Sequence, residues 1–426
     1  MRISPGAAAL LLLLPAQLRA VDLLLRHAQL VDPAARTVTP ADILVRDGRI
    51  AAAGAKPAAD AEVLDLHGKW VIPGLIDLHV HDGGNPQPDD DYEDMEFTEA
   101  ARRMLYCGVT AYLNLGTSEV KEFFARRNEQ RALPLARSNE ADLYGAGSPF
   151  GLWSVRAGTP VAARLENYIQ KWRPDVIKII YDRRGGMVAA DRTALSTLVG
   201  AARKAGLKTV VHISTWDAAR DVIEVGATAV THFCDDDPIP AELVALWAKS
   251  GVLSIPTMAV QCDMAAIVAA PAMLDAPLLR AVASAETLAA YRNNLKFSNK
   301  TLGTIHWQME DREHDFAALR QLAKAGVTVL AGSDVGNLGT FQGYSLHREM
   351  KIMQDAGLST WEALASATTR AADFLGRPHG IRVGDIAELV ILDADPTVDV
   401  ANTEKIFGVV HHGWLMDRKT PPVAVK

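Results

Sequence analysis

Residues 71–81 read Val-Ile-Pro-Gly-Leu-Ile-Asp-Leu-His-Val-His, and this stretch decides the fold. The apolar run after Gly74 predicts a buried strand that ends near Asp82. Side chains alternate between the two faces of a strand, so His79 and His81 point the same way. Neutral imidazole nitrogens are good ligands for zinc-class metals, although two histidines in a strand can also be structural.

The composition is that of an ordinary soluble globular protein. The chain has 426 residues, of which 49% are hydrophobic and 22% are charged. The net charge of −7 argues against a nucleic-acid partner, and no basic stripe with interleaved aromatic residues occurs. We therefore expect a small-molecule substrate and no nucleic-acid binding.

Residues 1–20 differ in character from the rest of the chain. Arg2 precedes an apolar stretch over residues 7–15, and Ala20 supplies a small residue at a cleavage point. This pattern predicts a secretory signal peptide, too short for a permanent membrane span. The alternative is a frayed apolar N-terminus of a cytosolic protein. We expect export, to the periplasm or outside the cell.

The three cysteines are Cys107, Cys234 and Cys262, which cannot all pair within one chain. Their spacing matches no zinc-ribbon or redox motif. One disulfide is possible in an exported protein. Because free cysteine packs as a small apolar residue, we expect three buried thiols.

Both ends of the chain show short alternating strands. Residues 21–73 include the hairpin signal Asp47-Gly48, and residues 382–426 show the same pattern of short strands with alternating apolar residues. We predict one small β-sandwich domain formed by the N- and C-terminal segments.

Residues 74–381 alternate apolar strands with amphipathic helices. Helices are predicted at 191–205, 217–225 and 240–250; strands are predicted at 74–81, 109–115, 133–138, 176–181, 209–213, 229–233, 253–258 and 327–332. This α/β pattern predicts a (β/α)8 TIM barrel. An insertion at about 259–315 has helical spacing, which suits a lid or a subunit contact, and we expect a homo-oligomer.

Four more residues of metal-ligand or catalytic type fall near the ends of predicted barrel strands. Lys178 lies in the fourth strand, His212 in the fifth, and His232 in the sixth, while Asp334 follows the eighth. Active sites of such barrels lie at the carboxyl ends of the strands. A lone strand histidine is usually structural, but this ordered set predicts one site.

Lys178 is the most unusual member, because Val176, Ile177, Ile179 and Ile180 surround it. A buried ammonium must lose its charge or gain a partner. One reading is an ion pair with a buried carboxylate. The other is a neutral amine that takes up carbon dioxide to give a carbamate bridging two metal ions.

The ordered motifs resemble the amidohydrolase superfamily, in its branch with a binuclear metal centre. They comprise the 71–81 stretch, Lys178, His212, His232 and Gly-Ser-Asp334. Within that branch the chain is most similar to imidazolonepropionase-like and prolidase-like hydrolases.

The resemblance implies two divalent metal ions, with zinc as the default. His79, His81 and Asp334 would bind one ion, and His212 with His232 the other. A carboxylated Lys178 and a hydroxide would bridge them. Asp334 would also be catalytic, taking a proton from the attacking water and passing it to the leaving amine.

The residues that contact the substrate are harder to predict. The candidates are Tyr181, Arg183, Trp216 and His347, each of which has an equally plausible structural role. We expect hydrolysis of the amide bond of a dipeptide or an N-acyl amino acid. The alternatives are hydrolysis of a cyclic amide, lactone or ester at the same centre, or a catalytically inactive scaffold.

Overall fold

The computed structural model of the protein describes residues 22–54, 61–151, 160–182, 189–233, 238–378 and 380–423. The strands in these ranges are β1 (Leu23–Asp32), β2 (Thr37–Arg46), β3 (Arg49–Ala53), β4 (Glu62–Asp65), β5 (Trp70–Pro73), β6 (Leu75–Val80), β7 (Gly84–Pro86), β8 (Tyr92–Asp94), β9 (Val109–Asn114), β10 (Asp142–Gly145), β11 (Phe150–Gly151), β12 (Val176–Tyr181), β13 (Lys208–Ile213), β14 (Ala229–Thr231), β15 (Leu253–Ile255), β16 (Leu389–Leu392), β17 (Ile406–His411) and β18 (Trp414–Leu415). The predicted signal peptide lies outside the described residues.

The helices in the same ranges are α1 (Phe97–Tyr106), α2 (Val120–Ala132), α3 (Val161–Trp172), α4 (Ala189–Lys204), α5 (Trp216–Glu224), α6 (Ala241–Ser250), α7 (Met258–Ala269), α8 (Pro277–Val282), α9 (Ala285–Arg292), α10 (Asn299–Lys324), α11 (Tyr344–Asp355), α12 (Thr360–Ser366) and α13 (Thr369–Leu375). None of the described helices is both long and apolar enough to cross a membrane.

Strands from the two ends of the chain share one eight-stranded sheet. Its order is β18-β17-β16-β5-β1-β2-β3, with β4 beside β1. The junction is antiparallel, with Ile72 of β5 opposite Val390 of β16. A separate core of apolar side chains, including Leu25, Ile43 and Leu389, packs on this sheet. The N- and C-terminal segments therefore combine as predicted, while their division into a two-layered sandwich and the domain boundaries stay predictions.

The middle of the chain alternates parallel strands with helices. One sheet has the order β10-β9-β6 and another has the order β11-β12-β13-β14-β15. Backbone hydrogen bonds join the segment after α10 to both sheets, from Leu330 N to Ser254 O (2.9 Å) and from Leu78 N to Ala331 O (3.1 Å). The predicted α/β class is confirmed.

Helix signals in the sequence were more exact than strand signals. The helices predicted at 191–205, 217–225 and 240–250 correspond to α4, α5 and α6. Thr215 caps α5 by accepting a hydrogen bond from Ala218 N, and α6 ends at Gly251 with a φ of 74°. The long insertion is helical as predicted and contains α7, α8, α9 and the first part of α10.

Two of the strand predictions need correction. Residues 133–138 form no strand; β10 begins later, and Leu143 pairs there with Tyr112 of β9. Pro134 and the left-handed Leu135 (φ 68°) prevent a regular ladder at 133–138. The predicted strand at 327–332 is reduced to an isolated bridge between Val329 and Ser254, and a second bridge, between Val335 and Val80, lies beyond it.

Two cysteines lie within the described residues. Cys107 and Cys262 are buried free thiols, in agreement with the prediction, and Cys234 lies outside the described ranges. Burial raises the pKa of Cys107 to about 12, so this thiol is inert.

Candidate active site

The six predicted metal ligands converge at the carboxyl ends of the parallel strands. The carboxylate oxygen Oδ1 of Asp334 lies 3.3 Å from Nε2 of His79 and 3.2 Å from Nε2 of His81. The Lys178 amine lies 3.2 Å from the same His79 nitrogen. The histidines at the end of β6 therefore contact Lys178 and Asp334, which come from two distant segments of the chain.

The other two histidines complete the group. The rings of His212 and His232 have centroids 4.5 Å apart, and the His232 ring lies 4.9 Å from the His79 ring. His232 Nδ1 is 3.8 Å from Asp334 Oδ2. We call these six residues the metal-ligand cluster.

Hydrogen bonds at the outer nitrogens orient the histidine rings. His81 Nδ1 lies 3.0 Å from the Gly116 carbonyl, so Nδ1 carries the proton and Nε2 keeps its lone pair. His79 Nδ1 lies 2.8 Å from the Thr231 hydroxyl, and this contact orients the His79 ring. Such outer contacts are typical of metal-binding histidines.

His232 has a similar support. Its Nδ1 lies 2.7 Å from the Thr257 hydroxyl, which itself donates to the Pro256 carbonyl at 2.7 Å. Because the hydroxyl proton is already used, Thr257 must accept the Nδ1 proton. The lone pair of His232 is therefore left on Nε2.

The backbone at the site is strained at two residues and is held in place by hydrogen bonds to a buried carboxylate. His232 and Asp334 have φ values of 72° and 54°, which non-glycine residues rarely adopt. The buried Asp77 carboxylate accepts hydrogen bonds from His79 N (3.1 Å), Ser333 N (3.0 Å) and Ser333 Oγ (2.6 Å). Asp77 thus ties β6 to the segment that presents Asp334.

Burial lowers the pKa of three of the basic groups, Lys178, His79 and His232. It lowers the pKa of Lys178 to about 7, which Asp334 only partly offsets. Burial, assisted by Lys178 and the neighbouring histidines, also holds the pKa of His79 and His232 well below the usual range. For His81 burial acts in the same direction, but contact with Asp334 outweighs it and raises the pKa.

The cluster suits divalent metal ions. Asp334 Oδ1 is buried and has no hydrogen-bond partner among the described residues, although two imidazole nitrogens face it. A buried carboxylate oxygen surrounded by nitrogen lone pairs is unfavourable unless a cation lies between them. Atoms of His79, His232 and Asp334 lie within 4.8 Å of one another, and this donor set is one that zinc prefers.

A cavity of about 680 Å³ opens above the cluster. Ile180 and Phe233 lie in its walls near the ligands, and the hairpin β7–β8 and helix α10 contribute the outer part. Its volume is in the range of small-molecule sites. We call it the substrate cavity.

Two of the predicted substrate residues do not line the cavity. Tyr181 lies on the opposite face of β12 from Lys178, and its hydroxyl donates to Asp221 at 3.0 Å. His347 is fully buried on α11, where its ring nitrogens bond Thr403 Oγ1 and the Cys107 carbonyl, both at 2.9 Å. Strand alternation and helix packing direct both side chains into the core, so the structure does not bring these two predicted residues to the cavity.

The other two predictions have different outcomes. Trp216 begins α5 and packs beside Phe233, with ring centroids 5.9 Å apart, so it supports a cavity wall without lining the cavity. Arg183 lies outside the described residues. Sequence reasoning missed Lys300, Thr304 and Trp307 of α10, which do line the cavity. Their spacing of four and three residues was the available signal.

The match to a known family agrees with this geometry. Residues 70–415 match the amidohydrolase family. The chain therefore belongs to the amidohydrolase family, and it is a hydrolase that acts on carbon–nitrogen bonds.

Similar proteins span different shares of the chain. A dihydroorotase from Pelotomaculum thermopropionicum is 52% identical over 62 residues, only 14% of each chain. An uncharacterized protein of Mycobacterium bovis is 24% identical over 403 residues, 89% of this chain and 91% of its own. A crystal structure of a Xaa-Pro dipeptidase with bound methionine covers 93% of this chain and 100% of its own, with 20% identity and a TM-score of 0.72, and so shares the fold.

Proposed function

We propose that this hydrolase cleaves the amide bond of a small substrate, a dipeptide or an N-acyl amino acid, with two divalent metal ions. Zinc is the metal that we expect. The observation that carries the proposal is the metal-ligand cluster itself, which lines the substrate cavity. Its buried Asp334 Oδ1 faces imidazole nitrogens and has no hydrogen-bond partner in the part of the chain that the structure describes. The fold shared with a Xaa-Pro dipeptidase supports the choice of substrate.

The chain's own residues have distinct roles in this proposal. When bound, the ions polarise the substrate carbonyl and lower the pKa of water toward about 7. Asp334 accepts the proton of the attacking water and returns it to the leaving nitrogen as the carbon–nitrogen bond breaks. Phe233 and Ile180 exclude bulk water from one side of the reacting group.

Lys178 has a separate role. Its pKa of about 7 leaves a large fraction of the amine neutral at neutral pH, and a neutral amine can add carbon dioxide. We propose that the resulting carbamate supplies the second anionic ligand of the cluster. The 3.2 Å approach to His79 places the amine beside the other ligands.

A second candidate is the hydrolysis of a cyclic amide. The local identity of 52% to a dihydroorotase over 62 residues favours it. The same residues would act, and the leaving nitrogen would stay attached to the product.

Several wider features belong to the same proposal. The sheets of the middle region would close into a (β/α)8 barrel over residues 74–381, flanked by a β-sandwich from residues 21–73 and 382–426. Residues 1–20 would direct export to the periplasm or the medium, and the enzyme would be a homo-oligomer.

Metal analysis and a substrate screen test the function together. The purified full chain should contain close to two divalent ions per chain and hydrolyse members of a library of dipeptides, N-acyl amino acids and cyclic amides. One ion or none would contradict the binuclear centre. Turnover of cyclic amides alone would favour the second candidate.

A further inference from the structure

Asn114 is a fully buried polar residue at the end of β9, next to the strand that carries the histidine pair. Its backbone is held on both sides. Asn114 pairs with Val80 of β6, the residue before His81, and its carbonyl accepts a hydrogen bond from Ala146 N at 2.9 Å. Asn114 does not line the substrate cavity. Its side chain can therefore act on the site only through its protein neighbours.

Both polar atoms of the Asn114 side chain are used in hydrogen bonds. Oδ1 accepts from Gly116 N at 2.8 Å, and Nδ2 donates to the carboxylate of the equally buried Asp82. Asp82 also accepts a hydrogen bond from the Tyr112 hydroxyl at 2.9 Å. Because a backbone N–H can only donate, the amide oxygen must face Gly116 and the amide nitrogen must face Asp82. These contacts allow one orientation of the amide.

Gly116 connects this amide to a metal ligand. Its N–H is held by Asn114, and its carbonyl accepts the Nδ1 proton of His81 at 3.0 Å. A Cβ atom on Gly116 would lie 3.2 Å from both Cε1 and Nδ1 of the His81 ring, so glycine permits the close approach. The direction of the His81 ring therefore depends on where Asn114 holds Gly116.

We propose that Asn114 and Asp82 form a positioning pair for His81. The pair fixes the Gly116 carbonyl, which in turn orients the ring so that Nε2 is directed at the metal ion. The inference rests on the proposed metal centre and adds two residues that line neither the cavity nor the ion site. Outer hydrogen bonds of this kind tune metal affinity. An amide is needed at position 114 because one neighbour must be accepted from and the other donated to.

The zinc affinity of the full chain, measured by competition with a chromogenic chelator, tests the proposal. Asn114→Asp keeps the size of the side chain, removes the donor and places a second carboxyl group against Asp82. Zinc affinity should fall about tenfold, because His81 loses its fixed direction. With zinc in excess, kcat should fall and KM should stay unchanged, since the pair does not line the cavity.

The double variant Asn114→Asp/Asp82→Asn exchanges the donor and the acceptor. The new carboxylate still accepts from Gly116 N, and the new amide donates to it while accepting from the Tyr112 hydroxyl. Zinc affinity and kcat should therefore return toward the wild-type values. A purely steric or destabilising effect of the single substitution would not be reversed by a second buried substitution.

Two further variants make the test independent of charge and of folding. Asn114→Ser adds no charge but is too short to reach both partners, so it should lower zinc affinity in the same direction, and it replaces Asn114→Asp if that variant does not fold. Asn402→Asp is the matched control, because the Asn402 amide donates to the Asp395 carbonyl at 2.7 Å and has no contact with His81 or Gly116. Its zinc affinity should equal that of the wild type.

The outcomes separate this inference from the proposed function. Wild-type zinc affinity in the folded Asn114→Asp or Asn114→Ser variant would overturn the inference and leave the proposed hydrolysis standing. So would a double variant that regains stability to urea without regaining zinc affinity, because Asn114 would then only support the fold. A wild-type protein that binds no zinc would overturn both the inference and the proposed metal centre.

Discussion

Two buried groups of histidines and carboxylates lie in different parts of the molecule. One is the metal-ligand cluster at the carboxyl ends of the parallel strands. The other, which we call the charge cluster, connects the start of β10 with the terminal sheet; its members are Asp142, Arg377, Glu388, His411 and His412. They contain similar residue types and differ in how their charges are balanced.

The charge cluster is internally compensated. Arg377 bonds both carboxylates, to Asp142 and, at 3.0 Å, to Glu388. His411 Nδ1 lies 2.7 Å from Glu388, and His412 Nε2 lies 3.1 Å from Asp142. With His412 protonated, two positive groups face two negative ones. Although Asp142, His411 and His412 are close enough for a metal, Arg377 already neutralises the carboxylates.

The pKa directions express this difference. In the charge cluster burial opposes the protonation of His412, but Asp142 and Glu388 outweigh burial and raise the pKa to about 9. In the metal-ligand cluster burial is reinforced by other basic groups, and the pKa of His79 falls. One carboxylate among five basic groups leaves lone pairs free for cations. Both clusters contain histidines, so the difference between them is the ratio of carboxylates to bases, and this ratio supports the metal site proposed for the first cluster.

Removal of metal should have the largest effect on activity, and it should affect the metal-ligand cluster but not the charge cluster. Dialysis against a chelator is expected to abolish amide hydrolysis, and added zinc should restore it. The charge cluster needs no ion, so the urea midpoint should change much less than after mutation of Glu388. Measurements of bound metal, turnover and unfolding on the same sample check this. Full activity in a metal-free sample would contradict the assignment.

Replacement of Lys178 tests the second anionic ligand. Lys178→Ala should lower kcat by about 10³-fold or more, because the proposed metal ions would lose their second anionic ligand. A short-chain carboxylic acid should partly restore activity by occupying the vacated space. Lys249→Ala, at the exposed end of α6, is the control and should have wild-type kinetics. Unchanged activity of Lys178→Ala would refute the carbamate.

Glu388→Gln should destabilise the fold and spare the chemistry. Breaking a buried, compensated pair typically costs about 3–5 kcal/mol. Urea unfolding should show this loss, while the activity of the remaining folded enzyme stays near the wild-type value. Glu242→Gln is the matched control, since its pair with Arg220 is exposed and should contribute less than about 1 kcal/mol. Equal effects of the two variants would remove the distinction between the clusters.

The charge cluster should also make stability depend on alkaline pH. The folded pKa of His412 is about 9, above the unfolded value of 6.5, so the folded state binds the extra proton. The contribution is complete below about pH 6.5 and is lost as pH rises through about 9, at a cost of about 3 kcal/mol. The groups facing His412 are Asp142, Glu388, Arg377 and His411.

Unfolding midpoints measured from pH 7 to 9.5 check this dependence. His412→Gln should flatten the decline. His306→Gln, which removes an exposed histidine paired with Glu310, should leave the slope unchanged. A decline of the same size in His412→Gln would assign it to other groups.

The sequence predicted the parts of the site that depend on local pattern. Strand alternation placed His79 and His81 together, and the order of Lys178, His212, His232 and Asp334 predicted the cluster. It could not predict β10, whose short Asp-Leu-Tyr-Gly sequence has little apolar pattern and is fixed by pairing to β9 and by the Asp142 contacts. The residues of α10 that line the substrate cavity could not be predicted either, because their position depends on how a distant insertion folds back over the parallel strands.

The smallest effect is expected for Tyr181, whose replacement tests directly which face of β12 this side chain occupies. Its position three residues after Lys178 suggested a substrate contact, yet strand alternation directs an odd-numbered offset to the opposite face, toward Asp221 on α5. Tyr181→Phe should therefore leave KM unchanged and lower the free energy of unfolding by about 1 kcal/mol, the value of one hydrogen bond. A raised KM in Tyr181→Phe would mean that β12 presents its other face to the substrate, which would also move Lys178 out of the metal-ligand cluster.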